Sequence, residues 1–290
     1  MQKPSPVHRL LTLAALLAAL PAAAAPNNIT DLGAQEKELN SVSTKAKSAN
    51  ADGSIIVGEF FGKATVWSGS NWQTKTHLEA LGGHGSNLNL SARGISADGK
   101  VIVGTSRDDN YSVRPTVWFG SGWQSKTDLG TLKDDNSGTG SAHAVSGDGR
   151  VIVGVSNMAP QPHNISHHAT AWWGDNWQNK TDLGTLLGRT EDTSTATAVN
   201  ADGSVIVGNS DADGTQRGIV WSGSGWKTKT DLGTLKTDNS GTSSANAVSS
   251  DGSVVAGQAE NDSGIYRATV WTGSGWGTKT DLGTLKTDNS

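Results

Sequence analysis

Residues Arg267 to Ser290 read RATVWTGSGWGTKTDLGTLKTDNS, and most of the chain restates that phrase. Its centre, two tryptophans separated by four residues, recurs at Trp67/Trp72, Trp118/Trp123, Trp172/Trp177, Trp221/Trp226 and Trp271/Trp276. These pairs use ten of the eleven tryptophans and leave only Trp173 over. Successive first tryptophans lie 51, 54, 49 and 50 residues apart. Such a period marks a repeat architecture, in which each unit is one supersecondary piece that buries its apolar face only against its neighbours.

The unit from Ser141 to Leu186 reads as four strands. Ala142 and Ala144 alternate in a short first strand, and Gly147-Asp148-Gly149 is a tight hairpin of the primed type that Asp-Gly favours. Arg150 to Gly154 is a β-branched run too short for a helix, and is expected to end at its glycine. Ala169 to Trp172 forms the third strand, and the turn Gly174-Asp175-Asn176 returns the chain into a fourth, Trp177 to Leu186. Three successive hairpins make an antiparallel meander.

The remaining units keep this frame. The Asp-Gly turn recurs at Asp52, Asp98, Asp148, Asp202 and Asp251, and the glycine after the second strand at Gly58, Gly104, Gly154, Gly208 and Gly257. TDLGTL recurs at Thr127, Thr181, Thr230 and Thr280, degraded to THLEAL at Thr76. Units run approximately 46–81, 92–132, 142–186, 196–235 and 245–285 within a repeat domain over 25–290. Connections between units are nearly constant, whereas second-to-third strand loops vary: 59–63, 105–114, 155–168, 209–217 and 258–267. Variable loops mark the face where insertion is tolerated. Four-stranded antiparallel units of this size, set around an axis, build a β-propeller; the fold class is all-β, a propeller-like array of five such repeats.

The N-terminus reads as an address. Lys3 and Arg9 precede an apolar run, Leu10 to Leu20, and Pro21 and a string of alanines follow. This is the pattern of a secretory signal peptide over 1–24, cleaved after Ala24. Removing Lys3 and Arg9 from the 23 basic residues leaves 21 against 27 acidic ones, a charge of −6. That balance argues against nucleic acid as a partner. With no cysteine in an exported chain, burial rather than disulfides must hold the fold. No later apolar run is long enough to span a membrane as a helix. Ile29 to Gly33 matches a fourth strand without its first three, and TKTDLGTLKTDNS occurs identically at 228–240 and 278–290. The count is therefore an orphan strand plus five units, which reads either as a piece of a longer array or as five closing blades with a spare strand; the first is favoured.

The ATVW third strands, the TDLGTL fourth strands and the SANAVSSDGSVVAG hairpin together resemble the HAF-type extracellular repeats of bacterial exported proteins. The eponymous tripeptide is not kept: Lys63-Ala64-Thr65 and Arg267-Ala268-Thr269 stand there, and His168-Ala169-Thr170 comes nearest. The resemblance implies a surface or secreted passenger of the autotransporter kind. The alternating-strand outer-membrane barrel that would translocate such a passenger is not in this sequence. Localisation is expected to be extracellular or cell-surface, or periplasmic without a translocator.

Candidate sites compete with plainer roles. The first tryptophan of each pair reads as packing between units. The second flanks a turn, which makes Trp177, Trp226 and Trp276, with the unpaired Trp173, candidates for stacking on a sugar or another ligand. Asn209, Asp211 and Asp213 with Gly214 match the first half of a calcium loop, but Val220 stands where the bidentate glutamate belongs, so turn formation is the default reading and no cofactor is required. His163, His167 and His168 read as solvated loop residues rather than a zinc site. No nucleophile elbow, zinc-binding helix or phosphate loop is present, so the chain is expected to be no enzyme. The expected function is adhesion or binding through the variable loops, to an unknown protein or glycan at the cell surface. The alternatives are a glycan-binding lectin using the turn-flanking tryptophans, and a structural spacer.

Overall fold

The structure is a computed structural model that describes residue 32 and residues 44–83, 90–158 and 167–285. The signal peptide expected over 1–24, His163, and the orphan strand apart from Leu32 lie outside the described residues. By contact the chain divides at Asp31/Leu32, and everything described belongs to the second unit.

Among the described residues, five four-stranded antiparallel sheets follow one another in strict sequence order. The first comprises β1 (Thr44–Ala49), β2 (Ile56–Phe60), β3 (Lys63–Ser68) and β4 (Thr74–His77). The second holds β5 (Ser91–Ile95), β6 (Ile102–Arg107), β7 (Val113–Phe119) and β8 (Ser125–Asp128). The third holds β9 (Gly140–Val145), β10 (Ile152–Asn157), β11 (His167–Trp173) and β12 (Asn179–Asp182). The fourth holds β13 (Ser194–Val199), β14 (Ile206–Ala212), β15 (Thr215–Ser222) and β16 (Thr228–Asp231). The last holds β17 (Ser243–Val248), β18 (Val255–Glu260), β19 (Tyr266–Thr272) and β20 (Thr278–Asp281). Each sheet is one blade. First strands pack on one another in succession, β1 on β5, β5 on β9, β9 on β13 and β13 on β17, so they surround the axis and the fourth strands form the outer rim.

Three local expectations are corrected. Second strands do not end at their glycines. Gly58, Gly104, Gly154, Gly208 and Gly257 sit mid-strand, paired with Ala46, Ala92, Ala142, Ala196 and Ala245, beside a β-bulge in every first strand. A Cβ on any of them would lie 1.8–2.0 Å from the carbonyl oxygen of the residue before that alanine, so only glycine fits. Because the strands run on, the second-to-third connections shrink to 61–62, 108–112, 158–166, 213–214 and 261–265. The Asp-Gly turns are not of the primed type either. Only their glycines have positive φ, and the turn closes from Gly53 N–H to the Asn50 carbonyl, with equivalents at Gly99, Gly149, Gly203 and Gly252. The aspartate instead accepts the amide two residues on, at 2.9–3.0 Å in all five units, which is an Asx turn within a longer loop. Finally, the fourth strand holds only four residues and stops before the leucine of TDLGTL.

That leucine enters the core. Between blades one and two, Val57, Ala64, Val66 and Leu78 pack on Ala92, Ile102 and Trp118. The same frame recurs at the next three interfaces. All five first tryptophans are 0 % exposed, as the repeat reading required. Trp118 and Trp172 also donate their indole N–H to carbonyls of the preceding fourth-strand segment, at Glu79 and Gly130. Trp67 donates to the Leu32 carbonyl at 3.1 Å, so Leu32 stands where a preceding blade would place its outer segment. Among the described elements, no comparable packing joins β17 to β1. Among the described residues, nothing covers one face of the fifth blade: Leu282 is 61 % exposed where Leu78, Leu129, Leu183 and Leu232 are 2–5 %.

Candidate functional site

The meander sorts the candidates onto opposite ends of the blades. Second-to-third hairpins and the crossings between blades share one end, as bonds such as Gly82 N–H to the Arg107 carbonyl show. Asp-Gly turns and tryptophan turns share the other. There the second tryptophans Trp72, Trp123, Trp177, Trp226 and Trp276 donate their indole N–H to the carbonyls of Gly53, Gly99, Gly149, Gly203 and Gly252, at 2.8–3.0 Å. All five are half-buried and adopt φ between 53° and 56°, a left-handed conformation held by that bond and by a tight Gly-x-x-Trp turn. Trp177, Trp226 and Trp276 thus lock two turns of their own blade together and keep only part of their rings for a ligand.

Trp173 is 40 % exposed, and its N–H donates to the Thr181 hydroxyl at 2.9 Å. Its ring meets Trp226 of the next blade edge-on, with centroids 6.3 Å apart. Phe119, at the same frame position one blade earlier, meets Trp177 edge-on at 5.4 Å. The structure therefore brings Trp173 and Trp226 together as one aromatic surface and places Trp177 apart, beside Phe119. Trp177 also walls a crevice of about 150 Å³ between the second and third blades, with Arg114, Asp128, Asn136, Gln178 and Lys180. Lys180 Nζ donates to the Thr131 carbonyl at 2.9 Å and to Asn136 Oδ1, clasping the third blade to the second. Lys229 and Lys279 make the same clasp to Thr185 and Thr234.

Arg114 is buried in that crevice. It pairs with Asp128 at 2.7 Å and donates to the carbonyls of Asn136 and Gly138. Arg217 does the same with Asp231, Asn239 and Gly241, and Arg267 pairs with Asp281. His168 takes this role in the third blade: it is buried, and Nδ1 lies 2.9 Å from Asp182. It was expected in a solvated loop; extension of β11 carries it into the sheet instead, with His167 beside it at the strand end.

The calcium candidates diverge. Asn209 Oδ1 accepts the Ala245 amide at 3.1 Å, Asp211 accepts the amide and hydroxyl of Thr193, and Asp213 pairs with Arg189 at 2.7 Å. Their oxygens thus serve donors on three separate residues, and among the described residues no group of three or more His, Cys, Asp or Glu converges as metal ligands. At that same end stand two residues sequence reasoning passed over, the chain's only tyrosines. Tyr111 is 54 % exposed at the tip of the second blade's hairpin, and Tyr266 is 52 % exposed beside Ile265 on the fifth blade's. Their membership of the variable segments was the available signal.

No family model and no curated protein matches the chain. Solved structures do. A protein described as TolB from Agrobacterium tumefaciens aligns with a TM-score of 0.56 at 14 % identity, over 82 % of this chain and 79 % of that one. TolB from Acinetobacter baumannii aligns at 0.49 and 15 % identity, over 80 % and 52 %. The β-propeller domain of the Trilobed protease from Pyrococcus furiosus aligns at 0.44 and 10 % identity, over 84 % of each chain. At such identities the likeness is one of fold, and with five radially ordered four-stranded blades that fold is a β-propeller.

Proposed function

We propose that this chain is an exported, non-catalytic binding module of the HAF-repeat kind, displayed or secreted as an autotransporter-type passenger, which engages a protein or glycan through its second-to-third hairpins. The observation that carries this reading is the placement of both tyrosines, more than half exposed, on those hairpins. Tyrosine offers a large amphipathic contact area at low entropic cost, so it is enriched where surfaces bind. Among the described residues, every carboxylate with a displaced pKa is displaced downward, by hydroxyl, amide or ammonium donors, which suits turns and clasps rather than a general acid. No helix among the described residues is long and apolar enough to cross a membrane.

The test compares Tyr111→Ser/Tyr266→Ser with Trp173→Ala in binding to whole cells and to an immobilised glycan panel. The hairpin reading requires the double variant to lose binding and Trp173→Ala to keep it. The opposite outcome supports the glycan-binding alternative, which the Trp177 crevice favours. Absence of binding in the wild type would leave the spacer role. Export is tested separately, by protease accessibility on intact producing cells.

A further inference from the structure

Each first strand carries its bulge at the same place, and the bulged residues are Lys47, Arg93, His143, Thr197 and Asn246. A bulge re-aims the extra side chain out of the alternation of the strand. On strands that surround the axis, these positions lie along the inner wall where neighbouring first strands meet, and three of the side chains reach the next blade. The observed contacts run along that wall. Lys47 Nζ donates to the Ser91 hydroxyl of the next blade at 2.7 Å. His143 Nδ1 lies 2.9 Å from the Ala196 carbonyl, and Thr197 Oγ1 donates to the Ala245 carbonyl at 2.7 Å.

Three successive blades thus contribute a lysine, an arginine and a histidine, in a chain whose formal charge is −4. The groups feel one another. Burial, then the charges of Arg93 and Lys47, hold His143 down at about 4, and burial followed by Arg93 lowers Lys47. Glu59 is the opposing charge, 3.6 Å from Lys47. Among the described residues, no carboxylate pairs with Arg93 at salt-bridge distance; the residue is exposed overall, partial burial lowers its pKa, and the charge of Glu59 opposes that shift. Cations gathered in a concave, partly desolvated place focus field and attract anions. A guanidinium fork beside an ammonium matches the oxygens of a carboxylate or phosphate.

We propose that the inner wall of the propeller is an oxyanion site, in which Arg93 and Lys47 hold the carboxylate or phosphate group of a small ligand. The site is distinct from the hairpin end, and neither reading depends on the other. Isothermal titration of the full chain with inorganic phosphate, and separately with citrate, tests it. At least one should bind saturably, and which one binds tells a phosphorylated from a carboxylated ligand. Each of Arg93→Gln and Lys47→Gln should weaken that binding about tenfold or more, the loss of one charge-assisted hydrogen bond. Lys100→Gln, an exposed lysine in an Asp-Gly turn, should leave it unchanged. Arg93→Lys, which keeps the charge, should bind more tightly than Arg93→Gln, and unaltered circular dichroism confirms that the variants fold. No saturable binding of either anion up to about 10 mM, or equal weakening by Lys100→Gln, would overturn the proposal.

Discussion

Leu232 and Leu282 occupy the same place in an identical run of thirteen residues, so their local propensities are the same and only tertiary surroundings separate them. Leu232 is 2 % exposed and packs with Val207, Val220, Ala245, Val255 and Trp271 across the interface between the fourth and fifth blades. Leu282 is 61 % exposed on the uncovered face. Truncating a buried leucine to alanine costs about 2–5 kcal/mol, through lost transfer energy plus the cavity that remains. An exposed one costs about 0.5 kcal/mol or less. In a domain of this size each kcal/mol moves the melting temperature by about 2–4 °C. Leu232→Ala should therefore lower the melt by about 6–12 °C if the cost is near 3 kcal/mol, and Leu282→Ala by no more than about 2 °C. Tryptophan fluorescence reports both, because Trp271 sits in the affected interface. Equal destabilisation by the two variants would mean that the fifth blade's face is covered in solution, and the account of the open face would fail.

Three further outcomes follow from the geometry. Gly104→Ala places a methyl 1.8 Å from the Ser91 carbonyl oxygen, so the bulge must open; a loss above about 4 kcal/mol is expected, seen as absence of folded protein on expression. His143 is lowered from 6.5 to about 4 in the folded state, so the unfolded chain binds the proton more readily between those values. Stability from this group is full above about 6.5 and is lost as pH falls toward 4, by at most about 3 kcal/mol; His143→Asn should flatten that part of a pH series of urea midpoints. Asp98 and Asp251 are held at about 2, the first chiefly by the Lys100 amide and the second by the Ser249 hydroxyl. Their contribution is present above the ordinary value of 3.8 and disappears as pH falls toward 2; Ser249→Ala should raise the Asp251 pKa, read by carboxyl NMR titration.

The sequence alone determined what repeats: the period, four strands per unit, and a tryptophan at each blade interface. These are legible because a buried indole, a β-branched run and a glycine with positive φ are demanded by local geometry wherever the unit recurs. It misread the mid-strand glycine as a strand end, since the bulge that needs that glycine lies on a different strand. His168 looked like a loop residue because no pattern in its own segment shows the Asp182 it pairs with, fourteen positions on. Only the tertiary structure decided which candidates meet. It joined Trp173 to Trp226 across a blade boundary, drew the calcium candidates toward separate donors, and set the tyrosines at the end opposite the tryptophan turns. It also collected Lys47, Arg93 and His143, each about fifty residues from the next, along one wall. The reason is physical: proximity across a repeat array is set by how blades stack about an axis, and one-dimensional spacing records the repeat without recording which side of it faces the centre.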